Sequence, residues 1–512
     1  MSGARRITRR RALGEAAMAF GGLAAGSLAL GGCGGGASSG SPTGSTLRST
    51  WVDPTGDGQL QVGPGEPLLD RLELGARARP AGVLATLAHL TDAHVLDASS
   101  PARVTFLNRL GAPFQSTFRP HETLTTQVLA GAVAAVRALG PTLVIQGGDL
   151  IDNDQSNELS HALGVLRGGV VRPGSGARGY YGVQLPSDPD PFYYRPDIDA
   201  PRHPGMLREA VRPFGCDRLR APWCPVLGDH DALVAGELVP TPVTASLAVG
   251  ERALWDLPQG VTLPPGARLT TGPGGSPDGP PQPLLVNQLL TEALGGPTVR
   301  VPADPSRREM SFGEVIARLR SGARSPAPAG ALPGALNYSL DLGSRLRLIV
   351  LDLVRRDGGS GGLVVDGQAS WLGQQLAAAG DRWVIVVTHQ PLVSSEGGEA
   401  LLALLDGARS VIATLAGHTH RNLIIPRPTD AGGYWQITTS SLVDYPQQAR
   451  ALRVLETAGG GVAIQTWMLD HVFPGPLGTI SRELSYLDAQ GGRPQGFTGG
   501  RLDRNVTLYR RA

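Results

Sequence analysis

Six short apolar, β-branched runs in this sequence stop at an Asp or a His, and that recurrence constrains the fold more than any other feature. Val83 to Leu90 runs into Thr91-Asp92-Ala93-His94, and Thr142 to Ile145 runs into Gly147-Gly148-Asp149. Pro225 to Leu227 ends at Gly228-Asp229-His230-Asp231, Arg347 to Leu351 at Asp352, Trp383 to Val387 at Thr388-His389, and Ser410 to Leu415 at Gly417-His418-Thr419-His420. Near-continuous apolar runs of this length fit strands buried on both faces. In open α/β sheets the ligand site lies outside the carboxyl ends of the strands. The pattern therefore points six strand ends at one pocket and fills that pocket with ionisable groups.

Between the runs, His121 to Leu139 carries Leu124, Val128, Val133, Val136 and Leu139 at helical spacing, with Gly140-Pro141 as a stop, and predicts a helix. Asp366 to Ala379, closed by Gly380, predicts another. Strand and helix thus alternate around an α/β core. The later runs Tyr434 to Thr438, Leu452 to Leu455 and Val462 to Trp467 have no helix between them and read as antiparallel strands completing a second sheet. Two stretches interrupt the rhythm, about 160–215 and about 240–335. The first is Gly/Pro-rich and holds Tyr180, Tyr181, Phe192, Tyr193 and Tyr194 in a chain only 5% aromatic, which suits either a substrate wall or a satellite cluster pinning a long loop. The second is rich in Pro and Gly and has no assignable element.

Carboxylate oxygens and imidazole nitrogens gathered without a thiolate suit Mn, Fe or Zn rather than a cysteine-built structural zinc site. The candidates are Asp92, His94, Asp149, Asp229, His389, His418 and His420, too many for one ion and suited to two divalent ions sharing a carboxylate. Five of the ten His, counting His230, stand at these strand ends. His89 reads as a core or packing residue, nothing singles out His121, His161, His203 or His471, Asp352 reads as structural or as a support behind the ligands, and Asp97, Asp152 and Asp154 read as loop or turn carboxylates.

The blocks Asp92-x-His94, Gly148-Asp149, Gly228-Asp229-His230-Asp231, His389 and Gly417-His418-x-His420 stand in the order that marks the calcineurin-like metallophosphoesterases. Over residues 83 to about 445 the chain resembles that superfamily. The resemblance implies a four-layer αββα sandwich, two mixed β-sheets flanked by helices, as one domain over 67–512 with the two insertions. It implies that Asp92, His94 and His420 hold one metal, that Asp229, His389 and His418 hold the other, and that Asp149 bridges them. It also implies phosphomonoester or phosphodiester hydrolysis by a metal-bound hydroxide attacking phosphorus in line. His230 would stabilise the transition state or protonate the leaving oxygen, with Asp231 orienting its imidazole. Asp229 departs from the pattern by standing where Asn is usual. Asp152 stands where purple acid phosphatases place a tyrosine ligand, so no iron–tyrosinate chromophore is expected. The competing reading is a non-catalytic lipoprotein that binds phosphate esters or metal; a pure binder has no need of His230. A small-molecule phosphoester is the expected partner, and nothing in the residues selects among nucleotide, lipid, sugar or protein phosphates.

The first 32 residues read as a processing segment. Arg5, Arg6, Arg9, Arg10 and Arg11 precede the apolar stretch Ala16 to Leu30, too short for a span of about 20 residues. Thr8-Arg9-Arg10-Arg11-Ala12-Leu13 resembles a twin-arginine export motif, and Leu30-Gly31-Gly32-Cys33 a lipoprotein cleavage box. The expected product is an exported protein anchored to the membrane by a lipid on Cys33, with 33–66 as a flexible tether. Cleavage removes five Arg and one Glu and takes the formal charge from +2 to −2, which gives no support to a nucleic-acid partner. Cys216 and Cys224 then remain, as a disulfide or as two separate thiols.

Overall fold

The computed structural model describes residues 44–110, 114–188, 190–261, 283–323, 334–491 and 497–512; Arg9-Arg10 and Cys33 lie outside them. Two large sheets carry the architecture. Their strands are, in chain order, β1 (Leu69–Leu74), β2 (Pro80–Leu90), β3 (Leu143–Gln146), β4 (Trp223–Pro225), β5 (Tyr338–Leu342), β6 (Leu346–Val350), β7 (Trp383–Val387), β8 (Val411–Ala416), β9 (Leu423–Arg427), β10 (Tyr434–Thr438), β11 (Gln448–Thr457), β12 (Val462–Asp470) and β13 (Val506–Arg510). The seven-stranded sheet has the order β1-β13-β12-β11-β2-β3-β4, and the six-stranded sheet β5-β6-β7-β8-β10-β9. β2, β3 and β4 run parallel, as do β6, β7, β8 and β10, so five of the ligand-bearing strand ends belong to parallel runs.

Side-chain alternation explains the layering. Leu346, Leu348 and Val350 of β6, with Ile385 and Val387 of β7, enter one core with Leu87, Ala451, Leu452 and Val454 of the other sheet. Ile349, Leu351, Val384 and Val386 face the opposite way, against Trp371, Leu372, Leu401 and Leu405 of the helices Gln368–Ala377 and Gly398–Asp406. Each such Leu, Ile or Val contributes about 1.5–3 kcal/mol on full burial, which is why period-two apolar strands with no polar face pack between helices and a second sheet. The helix Thr125–Leu139 covers the seven-stranded sheet and ends at Gly140, whose φ of 63° caps it. The result is the four-layer αββα sandwich expected.

Several boundaries differ from the sequence reading. Residues 44–66, expected as tether, are part of the folded body: Ser49–Val52 pairs with Gln61–Pro64, and Thr46 donates to the Met468 carbonyl at 2.9 Å. The three late runs do not complete one sheet. β10 lies parallel to β8 in the six-stranded sheet, whereas β11 and β12 form a hairpin beside β2. Apolar alternation records burial but not which strand edge is open, so pairing was not readable from it.

The helices Ser156–Arg167 and Phe312–Gly322 send Leu159, Leu163, Val315 and Leu319 into the central core, which narrows both interruptions. Of the aromatic stretch, Tyr180, Tyr193 and Tyr194 are buried with Phe118, Leu124 and Met206, so the satellite cluster is what forms. The second interruption holds the helices Pro242–Val249 and Pro283–Ala293 and is tied down by buried Arg307, which donates to Asp97 at 3.1 Å. Cys216 and Cys224 are separate thiols.

Candidate metal centre

Three of the five ligand-bearing strand ends deliver their side chains through a backbone that ordinary residues avoid. Asp92, His94, Asp149, His418 and His420 all have positive φ, between 42° and 63°. Non-glycine residues held in the left-handed region cost of order 1–3 kcal/mol each and gather at functional sites. Five of the seven candidate ligands carry that strain. The glycines beside them make room: a Cβ on Gly148, at φ 96°, would lie 2.3 Å from His389 Nδ1, and one on Gly417 would lie 2.2 Å from Thr91 Oγ1. The turns after β2 and β3 are laced together, Asp92 N–H to the Gly148 carbonyl and His94 N–H to the Asp149 carbonyl, both at 3.0 Å.

The seven side chains converge in two adjoining groups, Asp92–His94–His420 and Asp149–Asp229–His389–His418, all buried, with one potential donor atom per residue lying within 4.8 Å of the others in its group. Asp149 Oδ1 accepts the His230 N–H at 2.9 Å, leaving Oδ2 between the groups, 3.1 Å from His389 Nε2 and 3.6 Å from His94 Nε2. Asp352 stays outside: it accepts from Leu336 N–H at 2.8 Å and pairs with Arg356.

Hydrogen bonds fix the tautomers. His389 Nδ1 lies 2.8 Å from the Gly147 carbonyl, which only accepts, so the proton is on Nδ1 and Nε2 faces the group. His94 Nδ1 is 3.1 Å from Asp152 Oδ1 and His420 Nδ1 is 2.6 Å from Asp444 Oδ2. Their Nε2 atoms meet at 3.2 Å. His418 instead turns Nδ1 inward, 3.3 Å from Asp229 Oδ1. Asp149 Oδ2, His389 Nε2 and His418 Nδ1 are buried and make no well-formed hydrogen bond. Buried polar atoms without partners are costly. Three carboxylates and four imidazoles, each aiming an oxygen or ring nitrogen inward, are a donor set that fits divalent Mn, Fe or Zn once those nitrogens are deprotonated.

Asp231, expected to orient His230, does not touch that imidazole. Its Oδ1 accepts from Leu150 N–H at 2.8 Å and Ile151 N–H at 3.2 Å, and its Oδ2 from Gly228 N–H at 3.0 Å, so it ties the turn after β4 to the turn after β3. His230 and Asp231 lie in a turn whose Ala232 and Leu233 N–H groups bond back to the Asp229 carbonyl, and there the two side chains take different partners. Burial, then nearby Asp149, pushes the Asp231 carboxyl up to about 7. The partner of His230 is Asp152, whose carbonyl lies 2.7 Å from Nδ1. Asp152, read as a turn carboxylate, also receives Arg103 and forms a third group with His94 and His230. Gln390, unnoticed in the sequence, donates to Asp229 Oδ1 at 2.9 Å.

Charge coupling within the groups is strong. Burial alone would raise the Asp92 and Asp229 carboxyls, but His420 beside the first and His418 beside the second overcome it and hold both below the usual carboxylate range. Conversely, burial works against protonating His389 and His420, yet the carboxylates prevail: Asp149 drives His389 well above the ordinary imidazole value, and Asp92 brings His420 to about 9. In the metal-free protein both imidazoles are therefore protonated at pH 7, and a metal must displace those protons. Metal binding at pH 7 is expected to release about two protons per chain and to strengthen as pH rises toward 9. Calorimetry in buffers of different ionisation enthalpy reads this; zero release would show that His389 and His420 are neutral before binding.

No family model and no curated protein matches the chain. In block order and layering it resembles the calcineurin-like metallophosphoesterases. Among solved structures it is similar to a dimetal phosphatase from Danio rerio at 12% identity, TM-score 0.40, over 76% of this chain and 99% of that one. It is similar to a purple acid phosphatase from yellow lupin (Lupinus luteus) seeds at 11% identity, TM-score 0.33, over 79% and 53% of the respective chains. The sulfate thiohydrolase SoxB of Thermus thermophilus follows at 13% identity and TM-score 0.29, over 81% and 61%.

Proposed function

We propose that the chain is a two-metal hydrolase of phosphoesters, either monoesters or diesters. The observation that carries the proposal is the convergence of seven buried donor residues into two adjoining groups with Asp149 Oδ2 between them. Asp92, His94 and His420 would hold one ion, Asp229, His389 and His418 the other, and Asp149 would bridge. When bound, two divalent ions supply a water of lowered pKa and a clamp for phosphoryl oxygens.

The chain's own residues complete the chemistry. Because the Asp152 carbonyl holds the Nδ1 proton of His230, Nε2 is the nitrogen left to exchange a proton. A Cβ on Gly236 would lie 2.6 Å from His230 Nε2 and 2.8 Å from Asp229 Oδ2, so the Gly236 backbone, at φ 72°, packs directly against both atoms and holds them side by side. A substrate oxygen brought to Nε2 would meet an imidazolium able to donate to a developing oxyanion or to protonate the departing alkoxide. The carboxylates and imidazoles hold fixed positions before substrate arrives, since every one of them is buried and anchored at a strand end. That preorganisation is where most electrostatic catalysis comes from.

Purified protein reconstituted with Mn or Zn is expected to bind close to two ions per chain and to turn over members of a phosphomonoester and phosphodiester panel. Stoichiometry near zero would end the two-metal reading. Two bound ions with no turnover on any ester would leave a binding protein instead.

A further inference from the structure

One of the two metal positions is gripped from behind by a buried arginine and carboxylate that no sequence block contains. Asp444 Oδ2 lies 2.6 Å from His420 Nδ1. Arg119 holds the same carboxylate through Nε at 2.8 Å and Nη2 at 3.3 Å, and both residues are about 1% exposed. The stretch that carries Asp444 also touches Asp92, whose carbonyl accepts the Leu442 and Val443 N–H groups, both at 3.1 Å. His121 completes the grip by donating from Nε2 to the Val443 carbonyl at 2.7 Å. Arg119 and His121, two positions apart, thus hold the segment that sets two ligands of a single group, Asp92 and His420.

The other group has a different backing. His389 leans on a neutral peptide carbonyl, that of Gly147 at 2.8 Å, and Asp229 on the amide of Gln390 at 2.9 Å. A carboxylate hydrogen-bonded to a ligating imidazole fixes its tautomer and raises its basicity, whereas a carbonyl orients without adding charge. We infer that Asp444, held by Arg119, is a positioning residue that sets metal affinity at the Asp92–His94–His420 position alone, so that the two positions are separately tunable. This rests on the two-metal reading of the site. Arg119 restrains the effect as well as supporting it, because the guanidinium neutralises part of the charge that Asp444 presents to His420.

The test is titration of the metal-free full-length protein with Mn2+ by calorimetry. Wild type is expected to show two binding events, and Asp444→Asn to weaken one of them roughly 10–100-fold while leaving the other unchanged. In a His420→Ala background, which removes the ligand through which Asp444 acts, adding Asp444→Asn is expected to change nothing further. A role confined to general packing would weaken both events and would add to the His420→Ala loss. Should Asp444→Asn fail to fold, Arg119→Lys is read in the same way, since it keeps a cation beside Asp444 but gives up the two-pronged hold; it is expected to weaken the same single event. Equal weakening of both events, or unchanged affinities, overturns the inference and leaves the two-metal reading intact. A wild type that takes up no second ion overturns both.

Discussion

His230→Ala is expected to lower kcat by roughly 10²–10⁴-fold, the range for a positioned acid–base group, with the bound metal retained. The imidazole is buried at 4% exposure, packs edge-on against His94 with ring centroids 4.5 Å apart, and is anchored through Nδ1 on a backbone carbonyl that Ala does not disturb. Its Nε2 lies beside Asp229 Oδ2 against the Gly236 backbone, and His230 belongs to neither the three-residue nor the four-residue ligand group. The side chain therefore contributes where charge develops and not where the ions sit. An interaction made only in the transition state lowers kcat and kcat/KM equally and leaves KM unchanged. Metal analysis alongside the kinetics decides the matter, because His230 also forms a third cluster with His94 and Asp152. Loss of an ion together with activity would move His230 into the ligand set.

What was legible in the sequence and what was not divides along the range of the contacts. The runs Trp383–Val387 and Tyr434–Thr438 became strands with the bounds their apolar pattern gave, because burial on both faces leaves a local signature. The ligand candidates were legible for the same reason: each follows its strand at once, and glycine beside Asp149, Asp229 and His418 marks a turn too tight for a side chain. The fourth strand fell at Trp223–Pro225, two residues earlier than Pro225 to Leu227, because its partner β3 ends at Gln146, opposite Pro225. The residues that orient the ligands left no such trace. Arg119 and Asp444 meet across 325 positions, and Gln390 reaches Asp229 across 161. Asp152 stands three residues beyond Asp149, which looks like an ordinary turn carboxylate until the fold brings His94 and His230 to it.

The substitution that best isolates charge from shape is Asp229→Asn, since Asn is what the family resemblance leads one to expect at that position. Asp92, Asp149 and Asp229 contribute three negative charges against four positive from two divalent ions, and Asn removes one without removing the oxygen that faces His389 and His418, each 3.3 Å from Asp229 Oδ1. Gln390 donates to that same oxygen and can donate equally to an amide oxygen, so the geometry is kept. At an effective dielectric of about 20, unit charges about 4 Å apart interact by about 4 kcal/mol, and an amide dipole recovers only part of that. The ion held with His389 and His418 should therefore bind more weakly, by on the order of 10²–10³-fold. The same loss of negative charge favours the anionic form of a nucleophilic water, so its proton leaves at lower pH. Asp229→Asn is thus expected to raise the metal concentration for half activity and to move the acidic limb of the pH–rate profile downward. The two shifts have one electrostatic cause and must appear together. If neither moves, Asp229 lies outside the metal shell and that strand end has no place in the site; if affinity falls but the acidic limb stays, the ionising group is not a water in this field.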